Sequence, residues 1–133
     1  MSLEYIKPSS MNNERAAERA YGYGVRSDNL VFISGQVPRD ANGDMVGIGD
    51  PAAQATKVFD NMRKVVEAAG GTMADVICIR TMTTSRATMP FILEARKRHF
   101  PGPNFPTAAY MIVSELSSPE YLMEVEAIAH LQR

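Results

Sequence analysis

The sequence contains two carboxylates at a spacing that suits acid–base chemistry. Glu124 and Glu126 are two positions apart in a predicted strand, so their side chains share one face of that strand. Two carboxylates on one face raise each other's pKa, which suits proton transfer. The alternative is that they pair with arginine or lysine side chains across a subunit boundary. From the residues alone, both interpretations of Glu124 remain open.

The other reactive side chains lack partners at a catalytic or metal-binding spacing. Cys78 is the single cysteine and lies inside an apolar run, so we expect a buried thiol and no intrachain disulfide. His99 falls on the apolar side of a predicted helix, and His130 stands near the C-terminus with no visible partner. Neither histidine has the ligand spacing of a metal site, so we predict no metal.

Length and composition indicate one domain that spans residues 1–133. The 133 residues are 45% hydrophobic and 22% charged, which is enough for one core and an ordinary polar surface. The net charge of −1 does not favour a nucleic-acid partner, which would require a basic face. No apolar stretch approaches the roughly 20 residues of a membrane span, and no leader peptide is evident. We therefore expect a cytoplasmic protein with no membrane partner.

Hydrophobic patterning predicts an α+β fold. The predicted strands are 21–26, 29–34, 74–83, 107–114 and 121–130, and the predicted helices are 51–69 and 89–100. This order favours a mixed β-sheet with two helices packed on one face over an all-parallel fold. The second face of such a sheet needs cover, which suggests burial against another subunit.

Helix 51–69 has the clearest pattern in the chain. Asp50 is a good N-cap and Pro51 occupies the first helical position. Its predicted core face consists of Ala55, Val58, Phe59, Met62, Val65, Val66 and Ala69. The apolar side of the second helix is predicted to contain Phe91, Ile92, Ala95 and His99.

Several motifs in one order resemble those of a known family. They are Tyr-Gly-Tyr-Gly-Val from residue 21, Ile-Ser-Gly-Gln-Val-Pro from residue 33, Phe-Pro-Thr-Ala-Ala from residue 105 and Glu-Val-Glu-Ala-Ile-Ala from residue 124. Each motif is weak alone, and the combination is specific. Together they resemble the RidA/YjgF family, also labelled endoribonuclease L-PSP, over residues 21–129.

The resemblance implies a chorismate-mutase-like fold and a homotrimer with three clefts between neighbouring subunits. Family members with deaminase activity hydrolyse reactive enamines and imines without a metal or a cofactor. An arginine grips the substrate carboxylate, a glutamate on the last strand positions the attacking water, and a tyrosine near the N-terminus lines the cleft. The implied partners of this chain are therefore a small molecule and two further copies of itself.

The family's functional residues are only partly present. Tyr21 and Glu124 match the tyrosine and the glutamate, and they are the catalytic candidates. The candidate substrate-binding residues are Ser34, Gly35, Leu93, Arg96, Ala108 and Tyr110. Ala108 stands at the position of the family's arginine, Leu93 at that of an asparagine, and Tyr110 at that of a small residue. Arg96, one helical turn after Leu93, is a candidate substitute for the arginine.

These departures support two hypotheses. The first is a cofactor-free hydrolase or deaminase of small imines or enamines. The second is a non-catalytic, small-molecule-binding trimer with a more hydrophobic cleft, since alanine offers no donor where the family has a guanidinium. Nucleic-acid cleavage is disfavoured because the sequence lacks a basic cluster with interleaved aromatics and a pair of neighbouring histidines.

Overall fold

A computed structural model describes residues 2–132 and places six strands in one sheet. The strands are β1 (Glu4–Ile6), β2 (Gly24–Ser27), β3 (Leu30–Gln36), β4 (Val76–Thr83), β5 (Thr107–Ile112) and β6 (Met123–His130). The helices are α1 (Asn13–Glu18), α2 (Pro51–Ala68) and α3 (Met89–His99).

The sheet is mixed, which confirms the predicted fold class. Its strand order is β1-β2-β3-β6-β4-β5, and only β4 and β5 run parallel. Two details of the prediction are wrong. The short edge strand β1 was not predicted, and β2 begins at Gly24 rather than at Tyr21. Three residues at a sheet edge carry too little pattern to be distinguished from a loop.

Helices α2 and α3 cover one face of the sheet. Asp50 caps α2 by accepting a hydrogen bond from the backbone amide of Ala53, and all seven predicted core positions of α2 are buried. In α3, Ile92 and Ala95 are buried as predicted, whereas Phe91 is 40% exposed. Phe91 precedes Ile92 by one position, about 100° around the helix, and therefore turns away from the core.

Side chains alternate strictly along β6. Met123, Val125, Ala127 and Ala129 point toward the helices and are buried, so Glu124 and its i+2 neighbours point to the opposite face. We call this second side the open face, because no helix of residues 2–132 covers it. Leu30 and Phe32 of β3 also lie on the open face, and they are 36% and 50% exposed. Within the described residues, no helix has the length and apolarity required to cross a bilayer.

Gln54 joins α2 to two loops, the one that precedes this helix and the one that precedes β6. Its side chain is fully buried, and its Nε2 donates to the carbonyl oxygens of Gly47 and Glu120, each at 3.0 Å. Its Oε1 accepts a hydrogen bond of 2.9 Å from the amide of Leu122. One amide side chain therefore satisfies three backbone groups of these loops, and it fixes the entry into β6.

We predict that Gln54→Leu lowers the free energy of unfolding by about 1–3 kcal/mol, because the carbonyl groups of Gly47 and Glu120 and the amide of Leu122 lose their hydrogen-bond partner. The control is Asn104→Leu, which also replaces an amide side chain with leucine, at an exposed position whose side chain makes no hydrogen bond among residues 2–132. The control should shift stability by less than about 0.5 kcal/mol. Urea denaturation at one protein concentration measures both variants, and equal effects would contradict the role given to Gln54.

Candidate functional site

The carboxyl group of Glu124 lies directly over Gly35. The ladder between β3 and β6 has an irregularity between Ile33 and Gln36, and Gly35 lies within it beside Glu124. A Cβ added to Gly35 would stand 2.7 Å from the carboxyl carbon of Glu124 and closer still to its Oε2. The backbone of Gly35 has no positive φ, so the glycine is needed for space rather than for conformation. Irregularities of this kind re-aim side chains beside functional sites.

The two glutamates of β6 have different surroundings. Glu126 pairs with Arg80 of β4, with 3.0 Å between Oε1 and Nε, which favours a structural role for Glu126. Glu124 makes no ion pair and no hydrogen bond among residues 2–132. Burial raises the pKa of Glu124, and the nearby charge of Glu126 raises it further. Glu124 is thus a half-buried carboxyl group with free oxygens.

Tyr21 lines the same cleft as Glu124. The cleft has a volume of about 430 Å³, and it brings together four of the predicted residues: Tyr21, Ser34, Gly35 and Glu124. The ring of Tyr21 contacts the ring of Tyr23 edge to face, with 5.7 Å between centroids. Burial, and then the proximity of Tyr21, raises the pKa of Tyr23 to about 12. The Tyr23 hydroxyl donates to the Asn12 carbonyl oxygen, so Tyr21 is the phenol that faces the cleft.

The other four predicted residues form a separate group at the opposite side of the sheet. Ala108 and Tyr110 of β5 are in register with the buried Ile79 and Thr81 of β4, so their side chains point to the helix-covered face. Leu93 and Arg96 belong to α3 on that same face.

Arg96 stacks on Tyr110. Its guanidinium carbon lies 4.9 Å from the ring centroid, and within the described chain its Nη1 is buried without a hydrogen-bond partner. Ala108 and Leu93 beside this pair are exposed. The candidate residues therefore fall into two groups on opposite faces of the sheet, called below the half-site around Glu124 and the half-site around Ala108.

The cleft also contains residues that the sequence analysis missed. Arg15, Arg19 and Arg39 line it together with Tyr121. Arg15 and Arg19 are four positions apart around α1, a spacing that places side chains on one helix face and was visible in the sequence. Nothing in the sequence indicated Arg39, which lies in a loop after β3. Within residues 2–132, no group of three or more acidic, histidine or cysteine side chains is placed to hold a metal ion.

Comparison with known proteins gives consistent results. Residues 11–131 match the family model described as Endoribonuclease L-PSP. The chain is 32% identical over 111 residues to the 3-aminoacrylate deaminase RutC of Acinetobacter baylyi, covering 84% of this chain and 86% of that protein.

Solved structures agree with this match. The fold resembles that of RidA from the Antarctic bacterium Psychrobacter sp. PAMC 21119, with a TM-score of 0.85 and 26% identity over 96% of this chain and 99% of that one. It also resembles a YjgF-family protein from Mycobacterium tuberculosis, with a TM-score of 0.81 and 25% identity over 98% of this chain and all of that one.

We predict that Gly35→Ala destabilises the protein by about 0.5–1.5 kcal/mol, because the new methyl group overlaps the Glu124 carboxyl and forces this side chain out of its rotamer. In a Glu124→Ala background the same substitution should cost less than half as much. A double-mutant cycle in urea measures this coupling. The matched control is Gly22→Ala, where the nearest atom to the new Cβ is the carbonyl oxygen of Gly24, 4.0 Å away. Additive effects of the two changes would show that the carboxyl does not occupy this place.

Proposed function

Because the chain belongs to the endoribonuclease L-PSP family, also called RidA/YjgF, we propose that it is a cofactor-free hydrolase of small imines or enamines. The observation that carries this proposal is the unpaired Glu124 carboxyl, which has a raised pKa and lines one cleft with Tyr21. A carboxyl group whose pKa is shifted toward the working pH is a better general base and acid. The relative from Acinetobacter baylyi is named for an enamine substrate, 3-aminoacrylate.

In the proposed reaction, the Glu124 carboxylate takes a proton from water as the water oxygen bonds to the imine carbon. The π electrons of the C=N bond move to nitrogen, which takes up a proton, and the product is a carbinolamine. Glu124 then gives the proton it holds to the amine nitrogen, the C–N bond breaks, and the nitrogen leaves with the bonding electron pair as ammonia. The remaining hydroxyl gives its proton to the Glu124 carboxylate as the C=O bond of the ketone or aldehyde forms. Tyr21 holds the ligand through its hydroxyl, and an enamine enters the same route after protonation on carbon.

We further propose that the active assembly is a homotrimer and that each cleft is completed by a neighbouring copy. Two observations support this. The half-site around Glu124 and the half-site around Ala108 lie on opposite faces of one sheet, so a single protomer keeps them apart. The open face also exposes Leu30 and Phe32, and contiguous apolar surface of this kind is typical of protein contacts.

A second candidate function is a trimer that binds a small molecule without turnover. The half-site around Ala108 favours it, because Ala108 offers no donor and Leu93 presents 40% of its surface. Losing a guanidinium that grips a carboxylate costs on the order of 2–5 kcal/mol of binding where the pair is buried. This candidate predicts ligand binding in the same cleft, with no acceleration of hydrolysis.

We predict that the protein accelerates hydrolysis of imines released by an amino-acid oxidase. Semicarbazide traps the free imine, so faster hydrolysis lowers the yield of semicarbazone. Glu124→Gln should lower the rate by at least about 100-fold, since general acid–base groups contribute roughly 10²–10⁴. The control is Glu94→Gln, whose side chain is 77% exposed on α3. An unchanged semicarbazone yield across several amino acids would rule out the hydrolase, and ligand-induced thermal stabilisation would then support the binding trimer.

A further inference from the structure

We propose that Arg15, Arg19 and Arg39 form an anion-binding wall of the Glu124 cleft, with Arg39 as the principal contact, and that the ligand carries a carboxylate. This inference deepens the proposed function and rests on it in one respect: the same cleft must be where the imine is held. It places the anion-binding residues on the N-terminal side of the cleft. Ala108, at the position of the family's arginine, lies on the opposite face of the sheet. Arg15, Arg19 and Arg39 are called the arginine wall below.

No ion pair within the described part of the chain neutralises the arginine wall, and Asp40 is the acidic residue that lines an adjoining pocket with Arg15 and Arg39. Among residues 2–132, no carboxylate lies within 4.0 Å of any of these three guanidinium groups. Most other arginines do have such a partner, as Arg63 and Arg80 illustrate. The whole chain has a net charge of −1, so a cleft with three cations and one acid is a local concentration of positive charge. A cleft lined by one sign of charge attracts ligands of the opposite sign.

Arg39 is held in place before any ligand binds. Its Nε donates to the Tyr121 hydroxyl at 2.6 Å, and its Nη1 donates to the Gly43 carbonyl oxygen at 2.8 Å. The guanidinium carbon lies 5.3 Å from the centroid of the buried Tyr121 ring. The backbone carbonyl oxygen of Arg39 accepts a hydrogen bond of 3.0 Å from Asn61, a buried residue of α2.

These contacts leave Arg39 with free donors and its full charge. A guanidinium has five N–H groups, and the two side-chain hydrogen bonds of Arg39 use two of them. An anchored side chain loses little conformational entropy when it binds an anion, so more of the interaction appears as affinity. Arg15 and Arg19 contribute from α1, and Arg19 is exposed with no hydrogen-bond partner among the described side chains.

The free donors of Arg39 fit a small carboxylate. The N–H groups that remain free, on Nη1 and Nη2, share one edge of the planar guanidinium and match the two coplanar oxygens of a carboxylate. The cleft volume of about 430 Å³ fits a small metabolite rather than a polymer.

Binding of benzoate, compared with its neutral analogue benzamide, tests this inference without requiring catalysis. Isothermal titration should show that wild-type protein binds benzoate at least about tenfold more tightly than benzamide, a preference that weakens in high salt. Arg39→Gln should weaken benzoate binding about tenfold, equivalent to about 1.4 kcal/mol, and leave benzamide binding unchanged. Inorganic phosphate should compete less well than benzoate.

The matched control is Arg98→Gln, which removes the same charge from an exposed position on α3. Equal affinity for benzoate and benzamide, equal effects of Arg39→Gln and Arg98→Gln, or phosphate competing as well as benzoate would each overturn the inference. If circular dichroism shows that Arg39→Gln does not fold, the double variant Arg15→Gln/Arg19→Gln takes its place. That variant should weaken benzoate binding severalfold, and an unchanged affinity would overturn the inference.

The failure of this inference and that of the proposed function are distinguishable. Benzoate binding that depends on Arg39, together with an unchanged semicarbazone yield, would support the anion-binding role of the arginine wall and contradict the hydrolase activity. Accelerated imine hydrolysis, together with benzoate binding that is unchanged by substitution of all three arginines, would support the hydrolase activity and contradict the anion-binding role of the arginine wall.

Discussion

The alternation of side chains across one sheet divides the candidate functional residues of this protein into two groups. Helices α2 and α3 cover one face, and the buried side chains of β6 point toward that face. Glu124 must therefore point to the open face, while the register of β5 turns Ala108 and Tyr110 toward the helices. No change of rotamer moves a strand residue through the sheet, so a cleft containing both groups requires two copies of the chain.

Within the half-site around Glu124, close packing and electrostatics act together. The missing side chain at Gly35 provides the space in which the Glu124 carboxyl lies, and the resulting burial raises its pKa. Arg80 pairs with Glu126 and leaves Glu124 without an ion-pair partner among residues 2–132. The arginine wall lies in the same cleft, so the proposed carboxylate ligand and the proposed acid–base group would meet there.

Local signals predicted most of the fold. The apolar repeat of α2 and its Asp50 cap lie in one continuous stretch of sequence, where local patterns suffice for a prediction. The structure confirms this helix and its seven predicted core positions. Four residues of the cleft were predicted through motifs that resemble a family. Arg39 was not predicted, because its placement depends on hydrogen bonds to Asn61 and Tyr121, which are 22 and 82 positions away. Phe91 was assigned wrongly to the apolar side of α3. It is apolar like Ile92, but one position along a helix turns the side chain by about 100°, away from the core.

The most direct test of the divided site is the native mass of the protein. Size-exclusion chromatography with light scattering, at micromolar concentration, measures it independently of shape and of any substrate. We predict a mass three times that of the 14.6 kDa chain, because each cleft needs a second copy to bring the β5 residues to Glu124. A protomer that remains single at 14.6 kDa would contradict the proposal that neighbouring copies complete the site.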